Sequence, residues 1–228
     1  MTERIKKLTE LTLSGQMYAD TVKTTYDEAD LLLPRQQMES KRICEYILNQ
    51  EPKLTEYSCL TGFFNFDGSV VGDAFRRGGH KATQEAFKLF YLKPIDNLST
   101  MEWQHATADY TKVLNKGIRG IIYDIEESLT CHNEPEQVEF LLALKRVATA
   151  LIAWAHKCSE RALTLSLTTQ NEEYRNNLKK LSEALFRVPE NAPETFYEAV
   201  LCIYLCFSAD PDSVGTLDRY LYPFYKRD

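Results

Sequence analysis

Glycine and proline are scarce: the 228-residue chain carries 9 of one and 8 of the other, against 44% hydrophobic and 26% charged residues. That balance excludes a disordered or collagen-like polypeptide and fits a chain that buries a core. Long apolar runs are missing as well. The longest, Ala199 to Phe207, is nine residues, well short of the roughly 20 needed to cross a bilayer as a helix. Basic excess is absent. The net charge is -6 and the pI near 5.4, which argues against nucleic acid or an anionic membrane as a partner. Paired cysteine spacing is absent too: Cys44, Cys59, Cys131, Cys158, Cys202 and Cys206 form no C-x-x-C. The opening stretch, Met1 to Lys7, has no apolar core of a secretory signal, so six reduced thiols in the cytoplasm are the expectation. No repeat, low-complexity tract or linker interrupts the chain, so residues 1–228 read as one domain or part of one.

What is present is helical periodicity. Val138, Leu141, Leu142, Ala148, Leu151, Ile152, Ala155, Ala162 and Leu165 keep to one face. That helix opens at Asn133-Glu134-Pro135-Glu136, where Asn can cap and Pro suits the first turn. The signature recurs at Asn191-Ala192-Pro193-Glu194, ahead of Phe196, Ala199, Val200, Ile203 and Phe207. The later part of that segment is apolar nearly all round, which fits either a buried helix or a buried strand. Further helices are expected at 2–13, 35–50, 81–92, 108–130 and 171–187. Ser99-Thr100-Met101-Glu102 is another capping-box pattern. Gly117 and Gly120 interrupt the 108–130 segment, each at about 1 kcal/mol relative to Ala, so a break or a close approach of a neighbour is expected there. Asp67-Gly68, between aromatic and β-branched residues, fits a hairpin turn or an irregular loop.

Four stretches carry a family resemblance. His105-Ala106-Thr107-Ala108-Asp109-Tyr110-Thr111-Lys112-Val113-Leu114-Asn115-Lys116-Gly117-Ile118-Arg119-Gly120-Ile121 resembles the pattern His-x-x-x-Asp-Tyr-x-x-Val-Leu-x-x-Gly-Leu-x-Gly-Ile of the glycyl radical enzymes, the pyruvate formate-lyase-like family. Arg187-Val188-Pro189-Glu190-Asn191-Ala192-Pro193-Glu194-Thr195-Phe196-Tyr197-Glu198-Ala199 is similar to that family's Val-Pro-x-x-Pro-x-x-Thr-Phe-x-Glu-Ala. The tail, Tyr220-Leu221-Tyr222-Pro223-Phe224-Tyr225-Lys226-Arg227-Asp228, resembles the segment that relatives carry upstream of the active-site cysteine. Phe66 to His80 is similar to a loop-rich segment of some members. There are departures just ahead of the tail: Thr216 stands where many relatives carry Arg, and Arg219 where they carry Gln.

The resemblance implies the N-terminal, helix-rich part of an α/β barrel, mainly α as the chain stands. It implies radical C–C or C–X cleavage of a small metabolite by a lyase or acyltransferase. The cofactor implied is a protein glycyl radical, installed by a radical S-adenosylmethionine activase, which generates a thiyl radical on a cysteine. No cofactor is implied within this chain itself. Partners implied for the full-length enzyme are a small-molecule substrate, the activase, the remainder of the barrel and further copies of the enzyme. The thiyl lies in a Gly-Cys-x-Glu loop and the radical store in an Arg-x-x-Gly-Tyr-like loop. None of the six cysteines follows a glycine and none of the nine glycines precedes a tyrosine. The chain is therefore expected to be inactive alone. A stand-alone helical binding or assembly module, or one subunit of a split enzyme, are the alternatives.

One site residue is implied. His105 matches the histidine that, in dehydratase-like members, hydrogen-bonds a substrate hydroxyl; a neutral imidazole can donate or accept there. The alternative is a structural histidine at the start of the helix near Thr107. Asp109 reads as a first-turn carboxylate favoured by the helix dipole, and Asp124, Glu126 and Glu127 as helix surface. Cys131-His132 and His156/Cys158 lack the paired spacing of a zinc site. Cys202 and Cys206 read as core fillers. Arg76-Arg77-Gly78-Gly79-His80-Lys81 is either an anion cradle or a solvated loop.

Overall fold

The computed structural model describes residues 1–17, 29, 32–61, 108–209 and 215–228. The expected helix at 81–92, the Asp67-Gly68 turn, the capping pattern at Ser99–Glu102, the basic run at 76–81 and His105 lie outside them. The described residues form seven helices and no strand: α1 (Glu3–Leu13), α2 (Arg35–Leu48), α3 (Thr111–Cys131), α4 (Pro135–Thr168), α5 (Glu172–Arg187), α6 (Phe196–Ala209) and α7 (Leu217–Arg227). The apolar run at 199–207 is helix, which removes the strand alternative.

The 34-residue α4 is the axis, about 51 Å long at 1.5 Å per residue, and it contacts α2, α3, α5 and α6. Its buried stripe runs through Ala143, Ala150, Leu151, Trp154, Ala155, Cys158 and Ala162. The stripe is thus rotated from the expected one, since Leu141 and Leu142 are only half-buried. Trp154, 2% exposed, is the largest side chain in the core. Small residues let α5 come close to α4. Ser159 donates to the Ser182 carbonyl at 2.7 Å and Ser182 donates to the Ser159 carbonyl at 2.9 Å. Both buried hydroxyls are thereby satisfied across the contact.

Helix ends follow local chemistry, with two corrections. At α4 the N-cap is Glu134, without a side-chain cap bond, and Pro135 occupies the first turn, so Asn133 does not cap. At α6 the capping box lies one turn beyond the expected Asn191–Glu194. Thr195 accepts the Glu198 amide at 3.2 Å and Glu198 accepts the Thr195 and Glu194 amides. Asn191 instead closes α5, with both its amide and its side chain donating to the Arg187 carbonyl. On α2, Lys157 donates to the Gln50 carbonyl at 2.8 Å, a cation placed at a helix C-terminus. Residues 57–61 are tied on both sides. Arg4 donates to the Tyr57 and Ser58 carbonyls, Tyr197 to that of Cys59 and Tyr204 to that of Thr61.

Candidate functional site

The three family-like blocks among the described residues converge at a break in α3. Gly117 has φ 67 and ψ 175, so the helical ladder stops there and restarts at Ile118. A restarted helix has free N–H groups, and two of them find carbonyls from the second block. Ile118 donates to Pro189 at 2.8 Å and Arg119 to Glu190 at 2.9 Å. The approach is so close that a Cβ on Gly117 would meet the Glu190 carbonyl oxygen at 2.4 Å and Asn191 C at 2.5 Å. Of the two expected outcomes at these glycines, Gly117 shows both, a break and a close backbone approach. Gly120 is helical, and a Cβ there would meet the Lys116 side chain.

Glu190 is the charged centre of the junction. It is 9% exposed, and a buried carboxylate is costly unless paired. Arg119 of α3 pairs with one oxygen, and His156 of α4 lies 3.0 Å from the other. His156 Nε2 is also 3.1 Å from the Phe186 carbonyl. Both neighbours of Nε2 are acceptors, so this nitrogen carries a proton. The ring stacks on Phe186, with centroids 4.9 Å apart. His156, weighed from sequence only beside Cys158 for metal binding, thus serves a carboxylate, while Cys158 is buried in the core. Burial pushes the Cys158 thiol well up.

On the solvent side, Lys112 and Lys116 from before the break both pair with Asp124 from after it, at 3.2 and 2.8 Å. The Lys116 and Lys112 hydrogen bonds hold the Asp124 carboxyl below its usual range. The tail block closes the arrangement. Tyr220 of α7 donates to the Ala108 carbonyl at 3.4 Å, and its ring meets Tyr110 edge-on at 5.8 Å. Asp109 sits just ahead of α3 rather than inside its first turn and accepts the Thr111 amide at 2.9 Å. Hydrogen bonds from Thr111, with Tyr220 adding, hold its carboxyl low.

Beside the break, a groove of about 450 Å³ opens between α3, α4 and α6, lined by Val113, Ile118, Ile121, Ile125, Leu141 and Cys206, with Lys112 and Asp124 at the edge. Cys206 is half-buried there, so of the two expected core fillers only Cys202 is fully enclosed. Its hydrogen bond with Cys206 and its burial raise the Cys202 thiol, which keeps it protonated and unreactive. Cys131 and His132 are exposed at the end of α3, where His132 Nδ1 donates to the Ser128 carbonyl at 2.7 Å. No group of three or more His, Cys, Asp or Glu among the described residues could hold a metal. No helix among them is long and apolar enough to cross a membrane. The described junction can orient backbone and exclude water. Sequence reasoning missed Glu190 and Trp154, and nothing local marks either.

Comparison with solved structures defines the class. The whole chain superposes on 37% of the structure describing 1,2-propanediol dehydration in Roseburia inulinivorans, with a TM-score of 0.73 at 15% identity. It also superposes on a glycyl radical enzyme from Archaeoglobus fulgidus, with a TM-score of 0.67 at 22% identity over 99% of this chain and 35% of that one. The fold is therefore a helix-rich part of the glycyl radical enzyme fold. Residues 58–228 match the pyruvate formate lyase-like family profile, and the chain belongs to the pyruvate formate lyase-like family. Among curated relatives, it is 31% identical over 144 residues to the isethionate sulfite-lyase of Oleidesulfovibrio alaskensis, which covers 57% of this chain and 17% of that protein. The chain thus spans 17% of that curated relative's length and 35–37% of these solved structures.

Proposed function

We propose that the chain is the N-terminal, helix-rich part of a glycyl radical enzyme that cleaves a C–C or C–X bond of a small metabolite, working in the cytoplasm. One observation carries this reading. The family profile holds over residues 58–228, while no cysteine of the chain follows a glycine and no glycine precedes a tyrosine. The residues present do not fit a thiyl and glycyl pair, so both loops come from polypeptide outside this sequence, and the chain alone is inactive. In the assembled enzyme residues 1–228 form one partial domain. The activase, the remainder of the barrel and further copies of the enzyme are its partners. His105 binds the substrate hydroxyl as a neutral imidazole. The similar proteins, a sulfite-lyase and a protein of 1,2-propanediol dehydration, agree with a small hydroxylated substrate.

The test is the intact mass of the native protein in its source cells. A mass several times 26.3 kDa is expected. A mass of 26.3 kDa overturns the reading and leaves a split enzyme or a stand-alone module. In the assembled, activated enzyme, assayed with isethionate and with 1,2-propanediol, His105→Ala is expected to lower turnover about 10²–10⁴-fold. Unchanged turnover on a substrate that the enzyme accepts would remove His105 from the site.

A further inference from the structure

We propose that Glu190 is a positioning residue, a latch at the Gly117 break that holds the restarted end of α3, Ile118 and Arg119, to α4 and so sets its angle to the arm Tyr110–Lys116, the stretch that follows His105 in sequence. Its meaning for substrate binding rests on the role proposed above for His105; the latch itself does not. The backbone of the arm runs into the body of α3 through Gly117, which is non-helical, so helical hydrogen bonding does not hold their angle. What holds it is contact with other elements. The Pro189 and Glu190 carbonyls replace the missing turn by accepting from Ile118 and Arg119. The Glu190 side chain then joins α3 through Arg119 to α4 through His156. A carboxylate at the start of a helix also meets the positive end of its dipole.

Tyr110, Val113 and Leu114 of the arm and Ile118 of the body are all buried in the core, so the latch acts on top of apolar packing, and magnitudes decide which polar contact matters. The Lys112, Lys116 and Asp124 side chains are 59%, 41% and 35% exposed, and such pairs contribute little in water. The Tyr220 contact with Ala108 is long at 3.4 Å. Glu190 is the one buried charge of the junction, and charge-assisted bonds to buried groups are the stronger kind. Its removal also strands nothing. Arg119 is 69% exposed and can hydrate, while His156 keeps the Phe186 carbonyl. The latch can therefore open while the helical core stays folded.

The experiment uses the full chain. Hydrogen exchange is followed at the Ile118 and Arg119 amides, and trypsin cleavage after Lys116. Glu190→Gln keeps the shape and removes the charge. It is expected to raise both rates about tenfold, on the scale of one charge-assisted bond lost from a local opening, with exchange in α4 and α5 unchanged. Asp124→Asn is expected to change them less than about twofold. The proposal is overturned if Glu190→Gln behaves as wild type while Glu190→Ala does not, since that marks a packing role. It is equally overturned if Glu190→Gln accelerates exchange throughout the chain. Neither result depends on the mass of the native protein, so the latch and the enzyme reading fail separately.

Discussion

Gly117→Ala is the sharpest perturbation of the junction. The backbone at φ 67 and ψ 175 lies in a region that is nearly glycine-only and costs another residue about 1–3 kcal/mol. The new Cβ would also sit 2.4 Å from the Glu190 oxygen, 2.5 Å from Asn191 C and 2.7 Å from Asn191 Cα. All three are backbone atoms and cannot swing aside as a side chain would. The turn must retreat, and the Ile118–Pro189 and Arg119–Glu190 bonds go with it, at about 1 kcal/mol each. The stiffer unfolded chain offsets about 0.4–1 kcal/mol. A net loss of about 2–4 kcal/mol results, read as a drop in the urea midpoint followed by circular dichroism. Gly15→Ala is the control: it shares a positive φ of 80, but its Cβ meets nothing within 4 Å. That variant isolates the backbone term, about 1–2 kcal/mol. Equal losses in the two variants would refute the claim that the close approach of residues 190–191 requires glycine.

Two further outcomes follow from burial. Iodoacetamide under native conditions is expected to modify the exposed Cys59 and Cys131 first, then Cys44 and Cys206, and to reach Cys158 and Cys202 only on unfolding; early modification of Cys158, read by peptide mass mapping, would contradict the packing of α4. Trp154→Ala empties the largest site of the core and is expected to cost about 3–5 kcal/mol in urea unfolding, so a loss below about 1 kcal/mol would show that α4 does not form the centre.

Helix existence was legible in the sequence, and helix partnership was not. The stretches 35–50 and 171–187 were readable because their apolar residues recur at helical spacing, and the structure places α2 at 35–48 and α5 at 172–187. The capping box of α6 shows where local reading runs out. Asn191–Glu194 and Thr195–Glu198 both satisfy the pattern, and the choice is made by the preceding helix, which uses Asn191 to finish its own last turn. Gly117 and Gly120 look alike in sequence. Only residues 189–191, some seventy positions downstream, make one of them a break. Glu190 and His156 carry no local signal at all, because a carboxylate becomes buried through partners on other elements. The block that gave the family resemblance was legible for the same reason that the junction forms: its glycine spacing serves a contact.

The departures from the family pattern can be weighed against that packing. Thr216 and Arg219, which differ from many relatives, are both exposed; Thr216 contributes its carbonyl to the Arg219 and Tyr220 amides, a bond that any residue could make. Other positions of the same block do the packing. Tyr220 and Phe224, with Leu221, lie against the core, and Tyr220 reaches the first block at Ala108 and Tyr110. A divergence confined to the outer face of α7 leaves the junction intact, because none of its contacts passes through either side chain. What those two substitutions alter is the surface that α7 presents outward beside the exposed Tyr222 and Tyr225. If that surface meets the remainder of a barrel, restoring Arg at 216 and Gln at 219 changes assembly and leaves the stability of the helical core where it was.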